Sequence, residues 1–223
     1  MATKTLKKDK AHQQYHIEEN GKRIRVPGVT TICGVLAKPA LIPWANRIGL
    51  EGIDVKTYVD TRASMGTCAH NMVEAFLRGE EFDTSEFSQV EIDSAENSVL
   101  SFYSWLETHE YEVIGIEMQL SSPDMRVGGT IDIYWTLDGV LTLTDLKTGK
   151  AIYRDMGMQV SAYAALLREE GHQVDRVSIL NIPRAEDEEF RFEVFTRDEE
   201  KRFLDVFEHC RAVYELKKSL RWY

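Results

Sequence analysis

An Asp-Gly pair at 138–139, set between two β-rich runs, constrains this chain more than any other feature. Such a pair signals a two-residue hairpin loop, because both central residues of a type I′ turn need positive φ. The flanking runs, RVGGTIDIYWTL (126–137) and VLTLTDLK (140–147), are therefore predicted as antiparallel strands. With Leu137 opposite Val140, Asp132 falls opposite Asp145 and Thr130 opposite Lys147. Strand alternation then puts Asp132, Asp145 and Lys147 on one face. Directly opposed side chains hold their Cβ atoms about 4.5–5.5 Å apart.

Two facing carboxylates repel, and a sheet has no structural use for them. A divalent cation removes the conflict, and hard carboxylate oxygens suit Mg²⁺ or Mn²⁺. A protonated lysine cannot ligate that ion, but it can orient a water or stabilise charge on a phosphoryl group. Two acids and a lysine on one face thus suit metal-dependent phosphodiester hydrolysis. The bland alternative is a solvated sheet face. Leu141 and Leu143, expected on the same face and buried, speak against it.

Around this hairpin the chain reads as mixed α/β. A first hairpin turns at Asn20-Gly21, residues 30–36 carry no clear signal, and Pro43 opens a helix running to about Lys56. A second helix is predicted over 63–78, with Met65, Ala69, Met72, Val73 and Phe76 as its apolar stripe, stopped by Gly79. An acidic helix is predicted over 86–109, with Val90, Val99, Phe102 and Leu106 inward. Further strands are predicted near 112–120, 174–182 and 189–195, and helices over 156–169 and 197–219. With no repeat and no linker-like tract, one mixed α/β domain is the economical reading.

These elements carry four motifs in order: His70 in GTCAHNMVE, Gly129-Thr130-Ile131-Asp132, Asp145-Leu146-Lys147 followed by Thr148-Gly149, and Gln159 to Tyr163 at Q-x-x-x-Y spacing. In this the chain resembles the PD-(D/E)XK nuclease superfamily, and within it the RecB-type exonuclease branch of phage and bacterial nucleases. The resemblance covers about residues 66–163. It implies a mixed central β-sheet flanked by helices, a restriction-endonuclease-like core. The expected layout is a single nuclease domain over 1–223, with an N-terminal hairpin and helix addition (1–62), a catalytic core (63–196) and a C-terminal helix (197–223). It implies a Mg²⁺- or Mn²⁺-dependent deoxyribonuclease, an exonuclease of recombination, repair or replication, working with two ions. His70, Asp132, Asp145 and the Leu146 carbonyl would be ligands, Lys147 would position the attacking water, and Gln159 and Tyr163 would hold DNA or order the site. Glu74, one turn from His70, is either its hydrogen-bond partner or a solvated acid. Glu117 could add a metal oxygen and ranks below the others. The cluster-binding cysteines of some relatives are absent, so no iron–sulfur cluster is expected. A non-catalytic nucleic-acid-binding protein that kept the fold is the alternative. A zinc hydrolase using Cys68, His70 and Glu74 has poor helical geometry and no H-E-x-x-H.

Charge bears on the partner. The net charge of −10 disfavours non-specific nucleic-acid binding, yet it is segregated. Residues 79–117 hold eleven acids and no Lys or Arg, while 1–26 hold seven Lys or Arg against three acids. The last ten residues are also net basic. Those basic segments, with Lys38 and Trp44, are candidates for contact with DNA. A homo-oligomer or a partner protein of recombination or replication is also open. Three scattered cysteines and an N-terminus without an apolar core point to a reducing compartment, the cytoplasm of a bacterial or phage-infected cell, rather than secretion or a membrane.

Overall fold

A computed structural model describes residues 13–185 and 187–222, together with the backbone of Thr5–Leu6. In chain order its elements begin with β1 (Thr5–Leu6), β2 (Tyr15–Glu19), β3 (Lys22–Val26), α1 (Val29–Cys33), α2 (Leu41–Leu50), α3 (Val55–Arg78), β4 (Glu81–Phe82) and α4 (Gln89–Leu106). Then come β5 (Tyr111–Ser122), β6 (Val127–Leu137), β7 (Val140–Lys147), α5 (Met156–Glu169), β8 (Arg176–Asn181), β9 (Arg191–Phe195) and α6 (Arg197–Ser219). The fold is a mixed five-stranded sheet covered by helices, with strand order β5-β6-β7-β8-β9. Neighbours are antiparallel except β7 and β8, which run parallel because α5 makes the crossover. Apart from this sheet, β2 and β3 form a hairpin, and β1 pairs with β4.

The central hairpin turns where the Asp-Gly pair predicts. Asp138 and Gly139 take φ of 50° and 75°, and the ladder runs from Leu137↔Val140 to Ile133↔Thr144. Beyond that rung β6 and β7 part. Thr130, expected opposite Lys147, instead pairs with Gln119 of β5, while Lys147 pairs with Asn181 of β8. Asp132 and Asp145 stand at the mouth of this opening. Two apolar cores sandwich the sheet. On one side α1, α5 and α6 bring Ile32, Val160, Leu167 and Phe207 against Leu143 and Ile179. On the other, α3 and α4 bring Ala69, Val73, Val99 and Phe102 against Ile133, Trp135 and Leu180.

Three local expectations change. The helix predicted from Pro43 to Lys56 ends at Leu50: Gly52 takes a φ of 76°, and the Asp54 carboxylate accepts from Thr57 N at 2.7 Å, starting α3 eight residues before the predicted onset at 63. Phe76, assigned to the apolar stripe, is 42% exposed and packs its ring against Tyr103 at 4.4 Å. Val90, expected inward, is exposed, because the Ser88–Glu91 capping box sets it in the outward first turn of α4.

Candidate active site

Each site residue is placed by a rigid element. His70 rides on α3, held to the core by the buried neighbours Cys68, Ala69 and Val73. Asp132 projects from β6, Asp145 and Lys147 from alternate positions of β7, and Gln159 and Tyr163 from one face of α5. The Asp132 carboxylate accepts from the Leu146 backbone N–H at 2.7 Å, which fixes its orientation across the parted strands. His70 Nδ1 lies 3.9 Å from the same carboxylate oxygen.

Lys147 and its partners form a second group. Lys147 Nζ sits 2.5 Å from Asp145 Oδ2, and the Asp145 side chain is 1% exposed. Gln159 links the group: its carbonyl accepts from Lys147 at 3.3 Å, and its amide reaches Asp145 Oδ1 at 3.4 Å and the Tyr163 hydroxyl at 3.0 Å. The glycine of the Gly129–Asp132 motif touches the tyrosine of the Gln159–Tyr163 motif, since a Cβ at Gly129 would lie 2.5 Å from Tyr163 Cε1.

One ligand-capable atom each from His70, Glu117 and Asp132 lies within 4.8 Å of the others. Glu117, ranked last from the sequence, is thus central. It takes a φ of 51° in the middle of β5, between the rungs Ile116↔Ile133 and Met118↔Ile131, which sets it across from Asp132. Such a conformation costs about 1–3 kcal/mol for a residue other than glycine. No motif reaches this register, because the β5–β6 connection carries no Asn-Gly or Asp-Gly signal.

Burial governs the charges. It pushes the Asp145 carboxyl up to about 6, against the pull of Lys147 and with a push from Asp132. Burial likewise raises Asp132, with Lys147 and the Leu146 N–H opposing. His70 is lowered to about 4, by burial first and then by the Lys147 charge. Burial alone would lower Lys147, but the Asp145 and Asp132 carboxylates outweigh it and raise it, so it stays an ammonium. Tyr163 is raised well above its ordinary value by burial and by the same two acids. A neutral imidazole beside carboxylates is the protonation state that a divalent cation needs. The N,O,O donor set therefore fits such an ion.

The site opens into a cleft of about 450 Å³ whose lining includes His70, Asn71, Glu117, Asp132 and Lys147. Its rim carries Arg62, whose guanidinium lies 5.3 Å from the Tyr58 ring centroid; no motif pointed to it. Glu74 is not joined to His70: Arg78 Nε donates to it at 2.8 Å. With Cys68 fully buried, the Cys68–His70–Glu74 zinc set is not assembled. Lys38 is ion-paired to Asp155 at 2.6 Å, and Trp44 packs on Tyr58 at 6.0 Å. The basic N-terminal segment lies mostly outside the described residues.

A parallel-crossover sheet with an acid and an Asp-x-Lys at the mouth of a split hairpin is the PD-(D/E)XK nuclease fold. Residues 46–219 match the PD-(D/E)XK nuclease superfamily, and the chain belongs to it. No curated protein matches the chain. Among solved structures, it is similar to a protein from Eubacterium rectale bearing a provisional exonuclease name, at 13% identity and a TM-score of 0.47, over 65% of this chain and 64% of that one. It thus spans just under two thirds of that structure. It is also similar to SSO0001, at 11% identity and a TM-score of 0.27, over 66% and 73% of the two chains. Among the described residues, no helix is long and apolar enough to cross a membrane.

Proposed function

We propose that this chain is a metal-dependent deoxyribonuclease acting as an exonuclease, with its catalytic machinery in one nuclease domain. The observation that carries the reading is the Lys147 ammonium, 2.5 Å from Asp145 and held by Gln159, in the cleft that also holds His70, Glu117 and Asp132. His70, Glu117 and Asp132 would hold a Mg²⁺ or Mn²⁺ ion, with Asp145 and the Leu146 carbonyl as further oxygens for a second. A bound divalent ion supplies Lewis-acid polarisation of the scissile phosphate and a lower pKa for the attacking water. Lys147 orients that water and offsets charge on the phosphoryl oxygens. A P–O bond forms to water, the bond to the 3′ oxygen breaks, and the water proton passes to solvent or to the leaving oxygen. Gln159 and Tyr163 keep Lys147 in place. The exonuclease assignment rests on the resemblance of the four ordered motifs, from His70 to Tyr163, to the RecB-type exonuclease branch.

Linear and closed-circular DNA, incubated with Mg²⁺, Mn²⁺, Zn²⁺ or EDTA, test this. Mg²⁺ or Mn²⁺ should release mononucleotides from linear DNA and spare the circle. Asp132→Ala, Asp145→Ala and Lys147→Ala should each abolish release. Hydrolysis in excess EDTA would refute the metal mechanism, and binding without cleavage under every ion would establish the non-catalytic alternative.

A further inference from the structure

A second, larger cleft of about 690 Å³ adjoins the site, walled by the β2–β3 hairpin, the start of α1 and the last turns of α6. Its lining includes Tyr15, Arg25, Thr30, Thr31, Tyr214 and Lys218. Glu117 lines both clefts, so the two meet at the candidate metal cluster. We propose that this cleft is the track for a single nucleic-acid strand adjoining the scissile phosphate, with Arg25 and Lys218 neutralising its backbone phosphates. The proposal rests on the nuclease reading and extends it to a surface whose hairpin wall, with Tyr15 and Arg25, precedes the matched residues 46–219.

The wall is built rather than incidental. The Tyr15 hydroxyl and Thr130 Oγ1 are hydrogen-bonded at 2.9 Å, two residues before Asp132 on the same strand. Gly128 N donates to Pro27 O at 3.0 Å, and a Cβ at Gly128 would overlap the Tyr15 side chain. The hairpin is therefore locked to the strand that carries the site. The charge is arranged for an anion. Arg25 and Lys218 are exposed and make no ion pair among the described residues, whereas Arg126, Arg154, Arg168, Arg184 and Arg197 are all paired to glutamates. In a chain of net charge −10, two exposed cations facing one groove are a local attraction for a polyanion. Threonine hydroxyls add phosphate contacts, and Tyr15 and Tyr214 offer ring surface to bases. At about 690 Å³ the cleft is of ligand-pocket size, the scale of a few nucleotides of one strand.

The test is binding of a short fluorescent single-stranded DNA oligonucleotide, followed by anisotropy in EDTA across a salt series, for the full chain and for Arg25→Gln, Lys218→Gln and the double variant. Each single change should weaken binding several-fold at low salt. The salt slope should fall by about 0.7 for each phosphate of a single strand that is no longer neutralised, so by about 1.4 in the double variant. Lys56→Gln, removing a cation already paired to Asp60 on the surface, should change neither. Both target side chains are exposed, so melting temperatures should hold. A folded double variant with wild-type affinity and slope would overturn the track while leaving nuclease activity standing. Absence of both oligonucleotide binding and Mn²⁺-dependent cleavage in the wild type would overturn the nuclease reading and the track together.

Discussion

Gly129→Ala is the substitution whose outcome the structure fixes most tightly. The added Cβ would meet Tyr163 Cε1 at 2.5 Å, Cδ1 at 2.9 Å and Leu166 Cδ1 at 3.2 Å. Carbon atoms rest about 3.5–4.0 Å apart, so the tyrosine ring must retreat by about 1 Å. Tyr163 is 5% exposed and packed into the α5 core, so the retreat strains its surroundings. Overpacking of this kind costs about 1–3 kcal/mol. At about 2–4 °C per kcal/mol for a chain of this size, Tm should fall by about 2–12 °C. The ring also carries the hydroxyl bonded to Gln159, which in turn contacts Lys147 and Asp145. A 1 Å misplacement transmitted to Lys147 should lower kcat by up to about 100-fold, with KM little changed. Thermal melts and steady-state cleavage of linear DNA measure the two effects separately. Tyr163→Leu in the Gly129→Ala background should remove the clash, giving a favourable stability coupling of about 1–2 kcal/mol without restoring kcat. Unchanged Tm with zero coupling would refute the packing argument. Lost stability with normal kcat would show that Tyr163 and Gln159 do not position Lys147.

The pH dependence of the metal-free protein should expose Asp145. Its folded pKa of about 6 lies above the unfolded 3.8, so its contribution to stability is full below about pH 4 and is lost as pH rises through 6. In EDTA, the stability of wild type relative to Asp145→Asn should therefore fall between pH 4 and pH 7, by up to about 3 kcal/mol at 1.36 kcal/mol per unit. A flat or rising difference would contradict it. His70 runs the other way, its lowered pKa of about 4 meaning stability present above 6.5 and lost in acid, so the comparison must be made within pairs of variants. Mn²⁺ should raise Tm of the wild type at neutral pH, and Glu117→Gln should abolish most of that increment while Glu74→Gln, removing the Arg78 pair and a lesser charge effect on Asp132, retains most of it. Lys147→Met should depress turnover by about 100-fold or more and leave Asp145 easier to protonate, read as a further rise in its pKa.

Local signals carried most of the fold. The Asp-Gly turn set the β6–β7 hairpin, and α5 and α6 occupy the predicted spans, the latter opened by the Thr196–Glu199 capping box. Period-two alternation on β7 was enough to put Asp145 and Lys147 together. Even the α2–α3 boundary, which departs from the predicted one, has local signals: Gly52, and Asp54 ahead of Thr57.

The tertiary structure decided what depends on chain segments that share no turn. Glu117 faces Asp132 through a β5–β6 register that runs unshifted from Ser122↔Val127 to Ile116↔Ile133, and it meets His70 only because α3 packs against that sheet. No short-range pattern encodes the meeting, because α3 is distant in sequence and the 123–126 connection carries no Asn-Gly or Asp-Gly signal. The same holds for Arg25 and Lys218, which come from opposite ends of the chain and face one cleft only because Tyr15 docks on Gly128 and α6 packs on α5. Residue spacing fixes which side chains share a strand or helix face. Which faces meet is fixed by the burial that drives the elements together, and that is a property of the assembled molecule.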